Sequence, residues 1–232
     1  MSTTSPAGAP HGALAEPSRW VRRWAHLVAP GGDVLDVASG SGRHARFFAQ
    51  RGHRVTALDR DAAALATMQG VAGIDTLACD LEGAPWPLAP ARRYAAVVVT
   101  NYLHRPLMAQ LIDALAPGGV LIYETFAQGN ETVGKPSNPA FLLAPGELLA
   151  VCTPALRVIA YQDGFLAEPR EAFIQRICAV REARGSRYGG TDQAEEAKEA
   201  EKAAQADGKA AEKRRNEDGT QVLPVPRYDL AG

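Results

Sequence analysis

The sequence predicts a single three-layer α/β domain with a mostly parallel sheet. Short apolar segments rich in β-branched residues alternate with helical segments between residues 34 and 125, which is typical of parallel strands joined by helical crossovers. Several of these segments are almost continuously hydrophobic, as expected for strands that are covered on both faces. The 232 residues, 46% of them hydrophobic, are enough to bury the core of one such domain.

The first predicted element is an entry helix over residues 17–28, in which Trp20, Trp24 and Leu27 recur at helical spacing. The preceding residues, 1–16, begin with a stretch rich in Ser, Thr, Pro and Gly that lacks the basic start and apolar middle of a signal peptide. We therefore expect a flexible N-terminal tail followed by a domain over residues 17–184.

The most informative segment is an apolar strand that enters a glycine-rich turn and then a helix over about residues 42–50. Gly40 and Gly42 allow a sharp turn and a close approach of a ligand to the backbone, and the helix start offers unpaired N–H groups. A second strand, over residues 53–59, ends in Asp59, whose carboxylate can accept hydrogen bonds from both hydroxyls of a ribose. This layout predicts a site for an adenosine-containing cofactor.

Two cofactor classes are compatible with the glycine turn. Residues 40–45 match the dinucleotide fingerprint, in which the last glycine can be alanine, so an NAD(P)-dependent oxidoreductase is one alternative. Asp36 argues against it, because a carboxylate four residues before Gly40 would repel a pyrophosphate. The same carboxylate suits a ligand that carries an ammonium and a sulfonium group.

The segment Asp36-Val37-Ala38-Ser39-Gly40-Ser41-Gly42 resembles the first motif, Asp-x-Gly-x-Gly-x-Gly, of class I S-adenosylmethionine-dependent methyltransferases. Ala38 replaces the first glycine, which removes one position that freely takes a positive φ. Further segments between residues 20 and 181 follow in the order of that family. The resemblance implies a three-layer Rossmann-like methyltransferase fold, with a mostly parallel seven-stranded sheet and a closing antiparallel pair, and it implies S-adenosyl-L-methionine as the cofactor.

The resemblance also assigns roles to individual residues. Asp59 matches the acidic residue that binds the ribose, Asp80 the one that meets the adenine amino group, and Leu81 would offer its backbone and an apolar contact to the ring. Asn101, at the end of the fourth strand, should face the methyl group. The candidate cofactor-binding residues are Asp36, Ala38, Gly40, Gly42, Asp59, Arg60, Asp80, Leu81 and Asn101.

The remaining elements follow in order. Residues 74–78 and 94–101 are predicted strands, and a helix that ends at Pro117-Gly118-Gly119 leads into a fifth strand over residues 120–125. A long loop over residues 126–144 is rich in Gly, Asn and Pro, and such loops are usually functional or mobile. A short helix over residues 145–152, with Pro145 in its first turn, precedes a closing antiparallel pair over residues 155–162 and 172–180, with a turn at Asp163-Gly164.

The segments 123–131 and 134–148 resemble a branch of small bacterial methyltransferases that are related to tellurite- and thiopurine-detoxifying enzymes. Members of that wider group methylate small or soft acceptors. The resemblance therefore implies a small-molecule acceptor.

Methyl transfer from a sulfonium is an in-line displacement, so the protein mainly needs to align the acceptor. A base is required only if the acceptor carries a proton. The candidate catalytic residues are Tyr102 and His104 after the fourth strand and Glu124 in the fifth. The pKa of an ordinary histidine lies near neutrality, so His104 suits the role of a base. The alternative is that His104 orients a loop. Three cationic residues could bind an anionic acceptor: Arg43, Arg105 and Lys135. The alternative for each is an ordinary surface charge.

Residues 185–232 form a charged, low-complexity extension without an apolar stripe, so a solvated helix or disorder is expected there. The formal net charge of -1 gives no bulk attraction to nucleic acid or to an anionic membrane, and no apolar run is long enough to span a bilayer. The scattered Cys79, Cys152 and Cys178 lack metal-ligand spacing, so we expect no metal, reduced thiols and a cytoplasmic location. A non-catalytic cofactor-binding or partner-binding protein remains the alternative function.

Overall fold

The computed structural model describes residues 16–168 and 170–183 of the chain. The helices are α1 (Arg19–Trp24), α2 (Arg43–Ala49), α3 (Ala62–Ala66), α4 (Met108–Asp113) and α5 (Glu147–Cys152). The strands are β1 (Val34–Val37), β2 (Val55–Asp59), β3 (Ile74–Ala78), β4 (Tyr94–Thr100), β5 (Leu115–Phe126), β6 (Arg157–Leu166) and β7 (Ala172–Val180). The predicted N-terminal tail, except residue 16, and the predicted charged extension over residues 185–232 lie outside the described residues.

The strands form one seven-stranded sheet in the order β3-β2-β1-β4-β5-β7-β6. Strands β1 to β5 pair in parallel, and β7 lies antiparallel between β5 and β6. This arrangement confirms the predicted sheet, including the antiparallel pair at one edge.

The hydrophobic core lies on both faces of this sheet, because successive side chains of each central strand point to opposite sides. In β4, Val97 and Val99 belong to one core cluster, which also contains residues of α4 and α5. Ala96 and Val98 belong to the other, which contains residues of α1, α2 and α3. The three predicted layers are thereby confirmed, with the carboxyl ends of β1, β2 and β4 opening on one edge.

The segment Pro117-Gly118-Gly119 differs from its prediction. Helix α4 already ends at Asp113, and these three residues lie inside β5, where the pairing with β4 shifts from Tyr94–Leu115 to Ala96–Val120. Gly118 has φ +78°, which a glycine adopts without strain. The glycines thus lie in an irregular part of the fifth strand, rather than in a link that precedes it.

Two local predictions near the C-terminal edge are wrong. Asp163 and Gly164 lie within β6 and pair with Gln175 and Ile174, so the hairpin turn comes later, between Leu166 and Ala172. Pro145 lies before α5, whose N-cap is Gly146 with φ +73°.

The entry helix is confirmed as α1 followed by a single 3₁₀ turn at Ala25–Leu27. In the described part of the chain, every helix is too short or too polar to cross a membrane.

Candidate active site

A cavity of about 370 Å³ lies at the carboxyl ends of the parallel strands, where open α/β sheets bind their ligands. It brings together six of the nine residues that were predicted to bind the cofactor. These six are Ala38, Asp59, Arg60, Asp80, Leu81 and Asn101.

The glycine turn connects β1 with α2 beside this cavity. Gly42 is the N-cap of α2 with φ +79°, and a Cβ on it would lie 1.9 Å from the sulfur of Met68. Gly40 has φ +55° and open space where a Cβ would be, and its N–H donates to Asp59 Oδ2 at 2.7 Å. Gly42 therefore combines a left-handed backbone with close packing against Met68, whereas Gly40 leaves the backbone open to a ligand.

Ala38 takes a left-handed conformation with φ +53°, although it has replaced the glycine expected there. Such a conformation costs a residue with a Cβ about 1 kcal/mol or more. The turn thus has the backbone conformation expected of the glycine motif, and Ala38 is strained in it.

Asp59 connects the end of β2 to the glycine turn. Its Oδ2 accepts the Gly40 N–H, and its Oδ1 accepts the N–H of Asp61 at 2.9 Å. Each carboxylate oxygen has a second lone pair, so both can accept a further hydrogen bond from a ligand. The backbone donors hold the carboxylate in a fixed orientation at the cavity wall.

The end of β3 contributes further acidic groups. Asp80 Oδ1 accepts the N–H of Glu82 at 3.0 Å, and Leu81 between them is buried. Together with Asp59, these residues give the cavity three carboxylates against one guanidinium, that of Arg60. The cavity therefore favours a cationic ligand.

Asp36 lies beneath the turn rather than in the cavity wall. Its side chain is fully buried, and its Oδ2 has no hydrogen-bond partner. Burial raises the pKa of Asp36 from 3.8 to about 7, although the Ala45 N–H and the nearby Arg43 oppose this shift. Asp36 Oδ2 is therefore a buried acceptor that has no hydrogen-bond partner among the described residues.

His44, in the first turn of α2, has a structural role. Its Nε2 accepts the backbone N–H of Ser18 at 3.1 Å, and its Nδ1 lies 3.5 Å from Thr100 Oγ1. Burial, with a smaller contribution from Arg43, lowers the pKa of His44 to about 3. The ring is therefore neutral at physiological pH and fixes the start of the entry helix against α2.

The three predicted catalytic residues do not converge. Tyr102 lines the cavity, but its phenol oxygen is buried without a partner, and burial beside Glu82 and Asp80 raises its pKa. His104 is half-buried and precedes the 3₁₀ turn Arg105–Leu107, and it is not among the residues that line this cavity.

Glu124 lies on the other side of Asn101, facing a second cavity of about 550 Å³. Its Oε1 accepts the hydroxyl of Ser18 at 2.7 Å, and its Oε2 lies 3.2 Å from Arg176 Nη1. Asn101 and Phe126 line both cavities. The two cavities are therefore neighbours that share a boundary at the ends of β4 and β5.

Arg105, considered above for binding an anion, is already engaged. Its Nε and Nη2 bind the carboxylate of Glu147 at 2.6 and 2.8 Å, and its Nη1 and Nη2 donate to the carbonyls of Ala140 and Leu142. It thus fastens the long loop to α5. That loop contributes Phe141 to the first cavity, which agrees with its predicted functional role.

Several cavity residues were not predicted from the sequence. Cys79, for which the sequence predicts only a reduced thiol, lines the first cavity, where burial and the neighbouring Asp59 and Asp80 raise its pKa. Its position directly before Asp80 was the sequence signal that could have placed Cys79 in the cavity.

Within residues 16–168 and 170–183, no group of three or more His, Cys, Asp or Glu side chains could hold a metal ion.

Comparison with known proteins gives a family match over the same region. Residues 34–119 match a family model described as a methyltransferase domain. The malonyl-[acyl-carrier protein] O-methyltransferase of Serratia marcescens is 35% identical over 104 residues, which are 44% of this chain and 41% of that protein. The match thus spans less than half the length of this curated relative.

Solved structures share the fold at low sequence identity. TehB from Haemophilus influenzae superposes with a TM-score of 0.58 at 19% identity, over 70% of this chain and 61% of that one. The 1,6-didemethyltoxoflavin-N1-methyltransferase of Burkholderia thailandensis, bound to 1,6-didemethyltoxoflavin and S-adenosylhomocysteine, superposes with a TM-score of 0.52 at 22% identity, over 71% of this chain and 76% of that one. These structures confirm the predicted fold, and the family model supports a methyltransferase domain over residues 34–119.

Proposed function

We propose that this chain, which carries a methyltransferase domain over residues 34–119, is an S-adenosyl-L-methionine-dependent methyltransferase that transfers a methyl group in line to a small-molecule acceptor. The observation that carries the proposal is the first cavity, where Ala38 of the glycine turn, Asp59 and Asp80 meet at one edge of the sheet. The three carboxylates of its wall suit a cofactor with a positive charge and disfavour a pyrophosphate.

The residues present fit this cofactor at three places. Asp59 has free lone pairs for a ribose diol, and Asp80 has a carboxylate oxygen available for the adenine amino group. The open space over Gly40 gives room for the amino-acid end of the cofactor. When bound, the cofactor supplies an electrophilic methyl group on a sulfonium.

Tyr102 contributes to this site as a binding residue. Its phenol lies beside Glu82 and Asp80, at the nucleoside end, and its raised pKa keeps the proton on the oxygen. A buried hydroxyl without a partner can donate one hydrogen bond to a ligand. We therefore assign Tyr102 to cofactor binding rather than to proton removal.

The acceptor is proposed to be a small molecule because the second cavity adjoins the first and has a volume of about 550 Å³, within the range of small-molecule sites. By their names, one relative is an O-methyltransferase of malonyl-[acyl-carrier protein] and the other an N1-methyltransferase of 1,6-didemethyltoxoflavin. The protein's part in the reaction is to align the two ligands across Asn101, which by itself can supply much of the rate enhancement.

Calorimetry with S-adenosylhomocysteine and with NAD⁺ tests the cofactor assignment. We expect saturable binding of S-adenosylhomocysteine and no binding of NAD⁺ under the same conditions. The reverse pattern would refute the proposal and favour the oxidoreductase alternative.

Turnover is tested separately, with methyl-labelled S-adenosyl-L-methionine and a panel of thiols, oxyanions and phenols. Transfer of label to at least one acceptor is expected. Cofactor binding without transfer to any acceptor class would instead favour a non-catalytic binding protein.

A further inference from the structure

The second cavity is placed to hold a ligand beside the first. Asn101 follows β4 and Phe126 ends β5, and both residues line both cavities. A molecule in the second cavity would therefore meet the cofactor at Asn101, where the methyl group is expected. This inference rests on the proposed function, because it takes the first cavity to be the cofactor site.

The walls of the two cavities differ in charge. The first has three carboxylates and one guanidinium, whereas five arginines and three glutamates line the second, a formal excess of two positive charges. The five arginines are Arg19, Arg22, Arg43, Arg170 and Arg176. A cavity with an excess of guanidinium groups attracts an anion.

Local ion pairs leave part of this positive charge available. Glu124 is paired with Arg176 at 3.2 Å, and Glu16 lies 3.8 Å from Arg22 in an exposed position. In the described part of the chain, the other three arginines of the wall have no carboxylate within ion-pair distance; they are Arg19, Arg43 and Arg170.

The cofactor would not remove the charge excess. Arg43 opens α2 next to the glycine turn and is the arginine closest in sequence to the expected amino-acid end of the cofactor. That end carries both an ammonium and a carboxylate, so it adds no net charge. Arg19 and Arg170 would remain available to a second ligand.

One wall of the cavity is apolar. Phe126, Ala172 and Ile174 are buried together in a cluster against which Leu166 packs, and all four residues line the cavity. The Cζ atom of Arg170 lies 5.2 Å from the centroid of the Phe126 ring, so a cation lies directly against this apolar wall. A matching ligand has an apolar body and an anionic end.

We propose that the second cavity binds the methyl acceptor, and that this acceptor is a small organic carboxylate with an apolar body, held at its anionic end by Arg19 and Arg170. The planar guanidinium group binds a carboxylate through two hydrogen bonds, which an amide of the same shape cannot reproduce. Phe126 and Ile174 would contact the apolar body.

Matched pairs of probes test this inference on the full-length protein loaded with S-adenosylhomocysteine. The probes are phenylacetate with phenylacetamide and hexanoate with hexanamide, measured by calorimetry and by ligand-observed NMR. We expect each carboxylate to bind about tenfold more tightly than its amide, because charge-assisted hydrogen bonds are about twice as strong as neutral ones.

Arg170→Gln and Arg19→Gln should each reduce the preference for the carboxylate several-fold and leave the affinity for S-adenosylhomocysteine unchanged. Arg54→Gln is the matched control, because Arg54 is exposed and pairs with Asp75 on the surface. It should change neither affinity.

Three results would overturn the acceptor assignment and leave the proposed function intact. They are equal binding of acid and amide, no binding of either carboxylate, and a preference for the carboxylate that persists in both cavity variants. Failure of S-adenosylhomocysteine to bind would instead refute the proposed function, and the acceptor assignment would fall with it.

Discussion

Asp59→Asn tests the cofactor site by changing a single atom of one side chain. In the wild-type protein, Asp59 Oδ2 accepts the Gly40 N–H at 2.7 Å and Oδ1 accepts the Asp61 N–H at 2.9 Å. Asparagine has one acceptor oxygen and one donor NH₂ group. One of the two backbone N–H groups must therefore face another donor, and the ribose loses an anionic acceptor.

The size of the effect follows from these contacts. A hydrogen bond to a charged group contributes about 1.5–3 kcal/mol. Loss of one such bond to the ribose should weaken the binding of S-adenosylhomocysteine by about 10- to 150-fold. The lost backbone contact should also reduce the free energy of unfolding of the unliganded protein by about 1 kcal/mol.

Asp61→Asn is the matched control, since it makes the same chemical change two residues away. Asp61 Oδ1 accepts the N–H groups of Ala63 and Ala64 at the start of α3, and asparagine caps a helix about as well as aspartate. Asp61 does not line the first cavity. Calorimetry should find the control close to wild type. If folded Asp59→Asn binds S-adenosylhomocysteine within about twofold of the control, the placement of the ribose at Asp59 is wrong.

Three further predictions concern stability. Ala38→Gly should raise the free energy of unfolding by about 1 kcal/mol, because glycine relieves the strain at φ +53°; a lower midpoint in urea would contradict this. The folded-state pKa of Asp36 is about 7 against the ordinary 3.8, so the wild-type protein loses stability as the pH rises between these values. Asp36→Asn has no such ionisation, so its stability relative to wild type should increase from pH 4 to pH 8. A stability difference that stays constant with pH in urea denaturation would refute this. Arg105→Gln should lower the free energy of unfolding by about 1 kcal/mol at neutral pH, a value limited by the partial exposure of Arg105. Arg105 lowers the pKa of Glu147, so this contribution should be lost as the pH falls and Glu147 is protonated; a loss that persists in acid would contradict the ion-pair explanation.

The sheet was predictable because its central strands carry a strong local signal. A strand buried on both faces needs an almost continuous apolar run, and the run around Val97 and Val99 satisfies both core clusters at once. The turn at Asp163-Gly164 was predicted from turn chemistry alone. It fails because Asp163 and Gly164 pair with Gln175 and Ile174 of β7, which extends the hairpin.

The site was predictable only in part, for a similar reason. Asp59 and Asp80 each follow a strand of the parallel sheet, so their convergence follows from the fold. The arginines of the second cavity come from α1, from the start of α2, from the segment just before β7 and from the middle of β7. They meet because β7 inserts between β5 and β6, and no local pattern in the sequence indicates that neighbourhood.

The positions of the predicted catalytic residues favour catalysis by alignment. Tyr102 has a raised pKa and lies beside carboxylates, so it keeps its proton. Glu124 is paired with Arg176 and accepts a hydrogen bond from Ser18, so both of its oxygens already have partners. His104 lies outside the walls of both cavities. An acceptor that must lose a proton during transfer would therefore find none of these three groups free and well placed to remove it. An acceptor whose attacking atom carries no proton needs no such group, so the positions of these three residues favour an acceptor of that kind.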